Sequence, residues 1–234
     1  ALNECMHNSG GFDHNIQTLR IVTLLENRYY NFKGLNLSIE TLDGLIKHNG
    51  PILDKTKING ILGKNFFKNK INFDNSPSLE AQIASISDDI AYNSHDLEDG
   101  LNARLFTMQD ISDIPILKGL IKKHKTNIFK YPQELVLRQI IRDIINEMVK
   151  DVILNTKKNI KKNNIKNIKD IYKSKYPLVS FSDKMKLFDY NVKGFLKKNM
   201  YYHKNVIHKT NFGKKIIKKL FFIIKRNPKK FLKI

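Results

Sequence analysis

The chain has 234 residues and is 41% hydrophobic, enough to bury one core with room for a satellite. It holds no apolar run near the roughly 18 residues a membrane helix needs, and Ala1-Leu2-Asn3-Glu4-Cys5 has neither the basic start nor the apolar stretch of a secretory signal. Its single cysteine, Cys5, excludes an internal disulfide and fits a reducing, cytoplasmic setting.

The net charge of +20 is concentrated at one end. Residues 1–149 carry 17 Lys and Arg against 18 Asp and Glu, whereas residues 150–234 carry 25 against 4. Two readings follow. The basic region is a surface for a polyanion, either nucleoside phosphates or nucleic acid. Alternatively most of these lysines are compositional drift, because Lys, Asn and Ile crowd the same stretch as an AT-rich genome would favour, with one or two phosphate contacts among them.

Taken in chain order, Asn8-Ser9-Gly10-Gly11 reads as a loop before a helix over about 13–30, with Ile16, Leu19, Val22 and Leu25 at helical spacing. Ser38 is a good N-cap for a helix that ends at Asn49-Gly50-Pro51. Residues 52–75 lack periodicity and read as a loop. Ser76-Pro77 predicts a helix start, with Leu79, Ile83, Ile86 and Ile90 as the buried stripe to about residue 95 and a break at Asp99-Gly100. A short helix over 113–122 precedes the cleanest pattern, Leu137, Ile140, Ile141, Ile144, Ile145, Met148 and Val152, within a helix over 132–154. Residues 156–176 repeat Lys, Asn and Ile and read as a frayed extension or linker. Ser182-Asp183 caps a helix to about His203, and a basic helix covers about 206–225. No strand pair is predicted, so the fold class is all-α.

Asp88, Tyr92 and Asp96 stand at i, i+4 and i+8, on one helix face displaced from the apolar stripe. Such a face can ligate a divalent cation, stack a ring on a sugar and accept from a hydroxyl. Spacing by itself is more often that of a solvated acidic face.

The wording of the sequence narrows this. Gly11-Phe12-Asp13-His14-Asn15-Ile16-Gln17-Thr18-Leu19-Arg20 resembles the Phe-Glu-His-Asn-x-Gln-(Ser/Thr)-Leu-Arg signature of the HD-domain deoxynucleotide triphosphohydrolases, in their deoxyguanosinetriphosphate triphosphohydrolase-like branch. A second block runs from Leu35-Asn36-Leu37 through Glu40-Thr41-Leu42 to Lys47-His48-Asn49-Gly50-Pro51. A third runs from Ser78-Leu79-Glu80-Ala81-Gln82 through Asp88-Asp89-Ile90-Ala91-Tyr92-Asn93 and His95-Asp96 to Asp99-Gly100-Leu101. A fourth, Phe195-Leu196, Met200-Tyr201, His203 and Val206, is shorter. The first three tie about residues 1–106 to the family and the fourth ties 180–206.

The resemblance implies an all-α, multi-helix HD-domain-like bundle, incomplete at both ends, with a partial hydrolase core over 1–130 and a basic helical region over 131–234 packed on it. It implies cleavage of a deoxynucleoside triphosphate to deoxynucleoside and triphosphate, with dGTP the favoured substrate. The family's metal site uses a His, a His-Asp pair and a distant Asp. Asp88 resembles that distant Asp, for Mg²⁺ or Mn²⁺ first and other transition metals second. Tyr92 and Asp96 resemble the deoxyribose contacts. His14 is the implied catalytic residue, Asn15 and Lys47 line the same pocket, and Lys193 and Tyr201 fall where the family places a phosphate-binding cation and a sugar- or base-facing tyrosine. The bound cation would activate a water to attack the α-phosphorus while basic side chains hold the triphosphate.

The other three metal ligands precede the first block in family members, and only His95 among the seven histidines is followed by Asp, within the third block. The chain is therefore expected to be a piece with little activity by itself. A degenerate nucleotide- or nucleic-acid-binding relic is the alternative, with single-stranded nucleic acid on the basic C-terminal region. A homo-oligomer is expected from the family, and no membrane association.

Overall fold

A computed structural model describes residues 1–48, 50, 56–63 and 71–231. Its helices are α1 (Leu2–Cys5), α2 (His14–Arg20), α3 (Ile39–Lys47), α4 (Thr56–Leu62), α5 (Leu79–Asn102), α6 (Met108–Ile111), α7 (Pro115–Lys123), α8 (Gln133–Lys162), α9 (Ile168–Tyr172), α10 (Asp183–Leu196), α11 (Lys204–Arg226) and α12 (Pro228–Phe231). Short 3₁₀ turns and two π-helical stretches, Ile21–Leu25 after α2 and Lys197–Tyr201 after α10, complete the helical elements. No strand occurs among the described residues, as the sequence predicts.

The chain divides into two compact units, one of residues 1–38, 56–66 and 202–234, the other of 39–55 and 67–201. In the first, α1 packs on α11, with an ion pair between Glu4 and Lys218, and α2 packs on α4. The second holds the large core. There α8 lies against α5 and α7, and α10 lies against α5. Leu97, Ile111, Leu117, Ile140, Ile144, Met148, Val192 and Leu196 are fully buried in one cluster. Each such side chain contributes about 1.5–3 kcal/mol by leaving water.

Several boundaries differ from the sequence expectation for identifiable reasons. The cap of α5 is Ser78 rather than Ser76, because its hydroxyl accepts from the Ala81 amide at 3.3 Å. That helix continues through Asp99-Gly100 to Asn102: Gly100 faces the Phe106 ring, and a Cβ there would lie 2.3 Å from it. Close approach, not chain reversal, explains this glycine. Along the expected stripe Ile90 is buried while Ile83 is exposed, and the buried face is carried on by Asn93, Ser94 and Leu97.

α8 also outruns its expected end, reaching Lys162 through the low-complexity stretch. Asn155 and Asn159 donate from their amides to the carbonyls of Ser180 and Leu178, both at 2.9 Å, which anchors this part of the helix to the segment before α10. Asp151 accepts from the Ser182 amide at 2.8 Å, and Ser182 in turn caps α10. Buried Gln82 of α5 completes the attachment. Its carbonyl oxygen accepts from the Leu178 and Val179 amides at 2.8 and 3.0 Å, and its amide donates to the Pro77 carbonyl at 2.9 Å. The positions of α5, α8 and α10 are thus tied by directional bonds as well as by apolar packing. No helix among the described residues is long and apolar enough to cross a membrane.

Candidate functional site

The unit containing α5 and α10 brings four of the sequence-predicted residues together. Tyr201, in the π-helical stretch that follows α10, donates its phenol proton to Asp96 of α5 at 2.5 Å. Its ring centroid lies 6.5 Å from that of Tyr92, one turn before Asp96 on α5. Tyr92 is 56% exposed and Asp96 and Tyr201 are half-buried, so two aromatic rings and a carboxylate share a solvent-accessible face. Burial, then the hydrogen bonds with Asp96 and Tyr92, hold the Tyr201 phenol well above its ordinary pKa. Tyr201 is therefore a neutral donor at physiological pH.

One further turn back along α5, Asp89 meets Lys193 of α10, Oδ1 to Nζ at 3.2 Å. Lys193 also pairs with Asp189, one turn earlier on α10, at 3.0 Å. Burial works against the charged ammonium. The bonds and charge of Asp189, followed by those of Asp89, outweigh it and raise the Lys193 pKa. Lys193 is thus a fully protonated cation within a paired network rather than one lysine among many.

Asp88, beside this network in sequence, is exposed. Among the described residues, no group of three or more His, Cys, Asp or Glu is arranged to hold a metal ion. One carboxylate does not supply the several donors that a Mg²⁺ or Mn²⁺ site requires, so these residues by themselves do not fit the cation implied by the resemblance.

Three more of the sequence-predicted residues belong to α3 and α2. Lys47, near the end of α3, is 1% exposed and paired with Asp43 at 2.6 Å, closed into the core rather than solvated. His14 opens α2 in the other unit and is exposed. The cap of that helix is Asp13, whose carboxylate accepts from the Asn15 and Ile16 amides at 3.0 and 3.3 Å. Half-buried Asn15 sits in this first turn.

Sequence reasoning missed three members of the network, Asp89, Asn93 and Asp189. The buried Asn93 amide donates to Asp189 Oδ1 at 2.6 Å. The Asp189–Lys193 spacing of i, i+4 was a legible signal, since an acid one turn before a lysine pairs with it on a helix. The link from Asn93 is a contact across 96 residues and had no local signal. Asp189 and Asp89 also border a cleft of ≈ 400 Å³ lined by His48, Lys175 and Lys186.

No family model matches the chain. Individual relatives do match, however, and those from three organisms carry the same description. A deoxyguanosinetriphosphate triphosphohydrolase-like protein of Pelagibacter ubique is 56% identical over 232 residues, covering 99% of this chain and 62% of the relative. Proteins of the same description from Bartonella tribocorum and Brucella ovis are 41% and 42% identical, covering 97% and 94% of this chain and 58% and 56% of their own lengths. An all-α bundle with an acidic–aromatic face on α5 thus accompanies a sequence shared with triphosphohydrolase-like proteins. The chain belongs to the deoxyguanosinetriphosphate triphosphohydrolase-like family. It spans about three-fifths of the length of these relatives.

Proposed function

We propose that this chain supplies the sugar- and phosphate-gripping face of a deoxynucleoside triphosphate triphosphohydrolase, with dGTP as the favoured substrate. The observation that carries the reading is the Tyr201–Asp96 hydrogen bond beside Tyr92. A carboxylate has about four lone-pair sites, so Asp96 can hold Tyr201 and still accept from a 3′-hydroxyl. The exposed Tyr92 ring offers an apolar surface to the deoxyribose, and Tyr201 is fixed at its edge. Lys193, one turn before the π-helical stretch, would hold the polyphosphate.

His14 as the catalytic residue and Asn15 as a pocket residue are assigned from the motif alone. Lys47 takes a binding role only if its pair with Asp43 opens. Asp88 is proposed as one donor to a divalent cation. The described residues do not complete that cation's coordination. The same incompleteness leads us to expect these 234 residues to bind a nucleotide more readily than they turn it over. Assembly into a homo-oligomer belongs to the same proposal.

A second reading, polyanion binding without catalysis, is favoured by the sequence from residue 190 onward, which holds 14 Lys and Arg and no Asp or Glu. Product analysis separates the two. The chain is incubated with each dNTP and Mn²⁺ or Mg²⁺, and phosphorus products are resolved. Deoxynucleoside with intact triphosphate, however slowly formed, supports the hydrolase reading. Nucleotide binding that Asp96→Ala does not weaken favours the second, and release of pyrophosphate or phosphate overturns the first.

A further inference from the structure

We propose that Asp89 is a displaceable latch on Lys193 and that Asn93 and Asp189 form the fixed clamp that positions this lysine for a polyphosphate. The inference rests on the proposed role of Lys193 and extends it to three residues that role does not name.

The two carboxylates that hold Lys193 are not equivalent. The Asp189 side chain is 16% exposed, and its second oxygen is occupied by the Asn93 amide at 2.6 Å. A carboxylate accepts and does not donate, so the nitrogen end of Asn93 must face Asp189. Asn93 is itself 2% exposed, on the buried side of α5. Asp189 is therefore held from two sides, by a neutral buried donor and by the ammonium. The Asp89 side chain is 53% exposed and meets Lys193 across the helix pair at 3.2 Å, a longer contact than the 3.0 Å to Asp189. An exposed ion pair of this kind is screened and worth little.

Charge then sets the order of events. An arriving polyphosphate carries several negative charges and competes for the ammonium with the weaker of its two partners. Asp89 gives way by a change of side-chain rotamer, whereas Asp189 stays because its other oxygen is tied to Asn93. The lysine keeps its place throughout and exchanges one acceptor. Without ligand, the latch keeps the cation from binding smaller anions. Asn93 and Asp189 are positioning residues here, and neither needs to touch the ligand.

The test uses inorganic triphosphate as the probe, the full chain as the protein, and titration calorimetry as the readout. Lys193→Ala is expected to weaken binding by about tenfold or more, as loss of a charge-assisted contact does. Asp89→Asn keeps the side-chain size and removes the competitor, so binding is expected to tighten by about three- to tenfold. Such a gain does not arise from damage to the fold. In the Lys193→Ala background, Asp89→Asn is expected to change binding by less than about twofold, because a latch without its lysine has nothing to hold. If the gain persists in that background, it is a general charge effect and the latch is wrong. If Lys193→Ala weakens binding but Asp89→Asn does not tighten it, the latch fails and the phosphate role of Lys193 stands. If Lys193→Ala leaves binding unchanged, or the unaltered chain does not bind triphosphate, the phosphate role fails. Melting temperatures test the clamp without ligand: pairing Lys193→Ala with Asp189→Ala should show stronger coupling than pairing it with Asp89→Ala. Equal coupling overturns the distinction between clamp and latch.

Discussion

Two long amphipathic helices end up in opposite circumstances. Over 30 residues α8 buries Val136, Leu137, Ile140, Ile141, Ile144, Met148 and Val152 against its neighbours. Over 23 residues α11 buries none, although Phe212, Ile216, Leu220 and Ile223 recur along one side and Lys214, Lys218 and Lys225 lie opposite at helical spacing. Hydrophobic periodicity declares that a helix has an apolar face; it does not say what covers that face. α8 draws its stability from packing across elements, and α11 from its own backbone bonds, contact with α1 and the Glu4–Lys218 pair.

The sharpest break between the regions should come from lysine. Removing buried Lys47 by Lys47→Met leaves Asp43 charged in the core, at a cost of about 3–5 kcal/mol in denaturant unfolding. Pairing it with Asp43→Leu should recover most of that loss. The same change at exposed Lys215 should move stability by no more than about 0.5 kcal/mol. Next in size, Ile144→Ala in α8 opens a cavity in the fully buried cluster and should cost about 2–5 kcal/mol. Gly100→Ala forces a methyl against the Phe106 ring and should cost about 1–3 kcal/mol, seen as a lower Tm.

A smaller effect concerns acid. The hydrogen bond from Lys123, then that from His124, holds the Asp143 carboxyl down at about 2. Its folded pKa lies below the unfolded value of about 3.9, so its contribution is complete above that value and lost as pH falls toward the folded pKa. Melting curves of the chain and of Asp143→Asn should therefore differ at neutral pH and converge as pH approaches about 2. The smallest effect belongs to α11. Ile217 is 43% exposed, and Ile217→Ala should change stability by less than about 0.5 kcal/mol. A loss as large as that of Ile144→Ala would mean the α11 face is covered in solution.

What the sequence made legible follows from range. The cap at Ser182, the α8 stripe and the all-α class rest on local spacing and read correctly, whereas the α5 cap falls at Ser78, two residues beyond the Ser76 that the Ser-Pro pair points to. The extension of α8 to Lys162 did not, because its cause is Asn155 and Asn159 reaching the segment around Ser180. Asp96 and Tyr201 were each visible by motif, yet their hydrogen bond spans 105 residues and only the fold supplies it. Asn93 went unnoticed for the same reason, being one more polar residue on a helix until Asp189 is placed beside it.

The central claim is that Tyr92, Asp96 and Tyr201 form a face for a deoxynucleotide. Equilibrium binding of dGTP to the 234-residue chain tests it directly, with Asp96→Ala as the comparison. Saturable binding that Asp96→Ala weakens by about tenfold or more is the expected result, since the proposed acceptor for the sugar hydroxyl and the support of Tyr201 are lost together. Equal binding by the two proteins would contradict it.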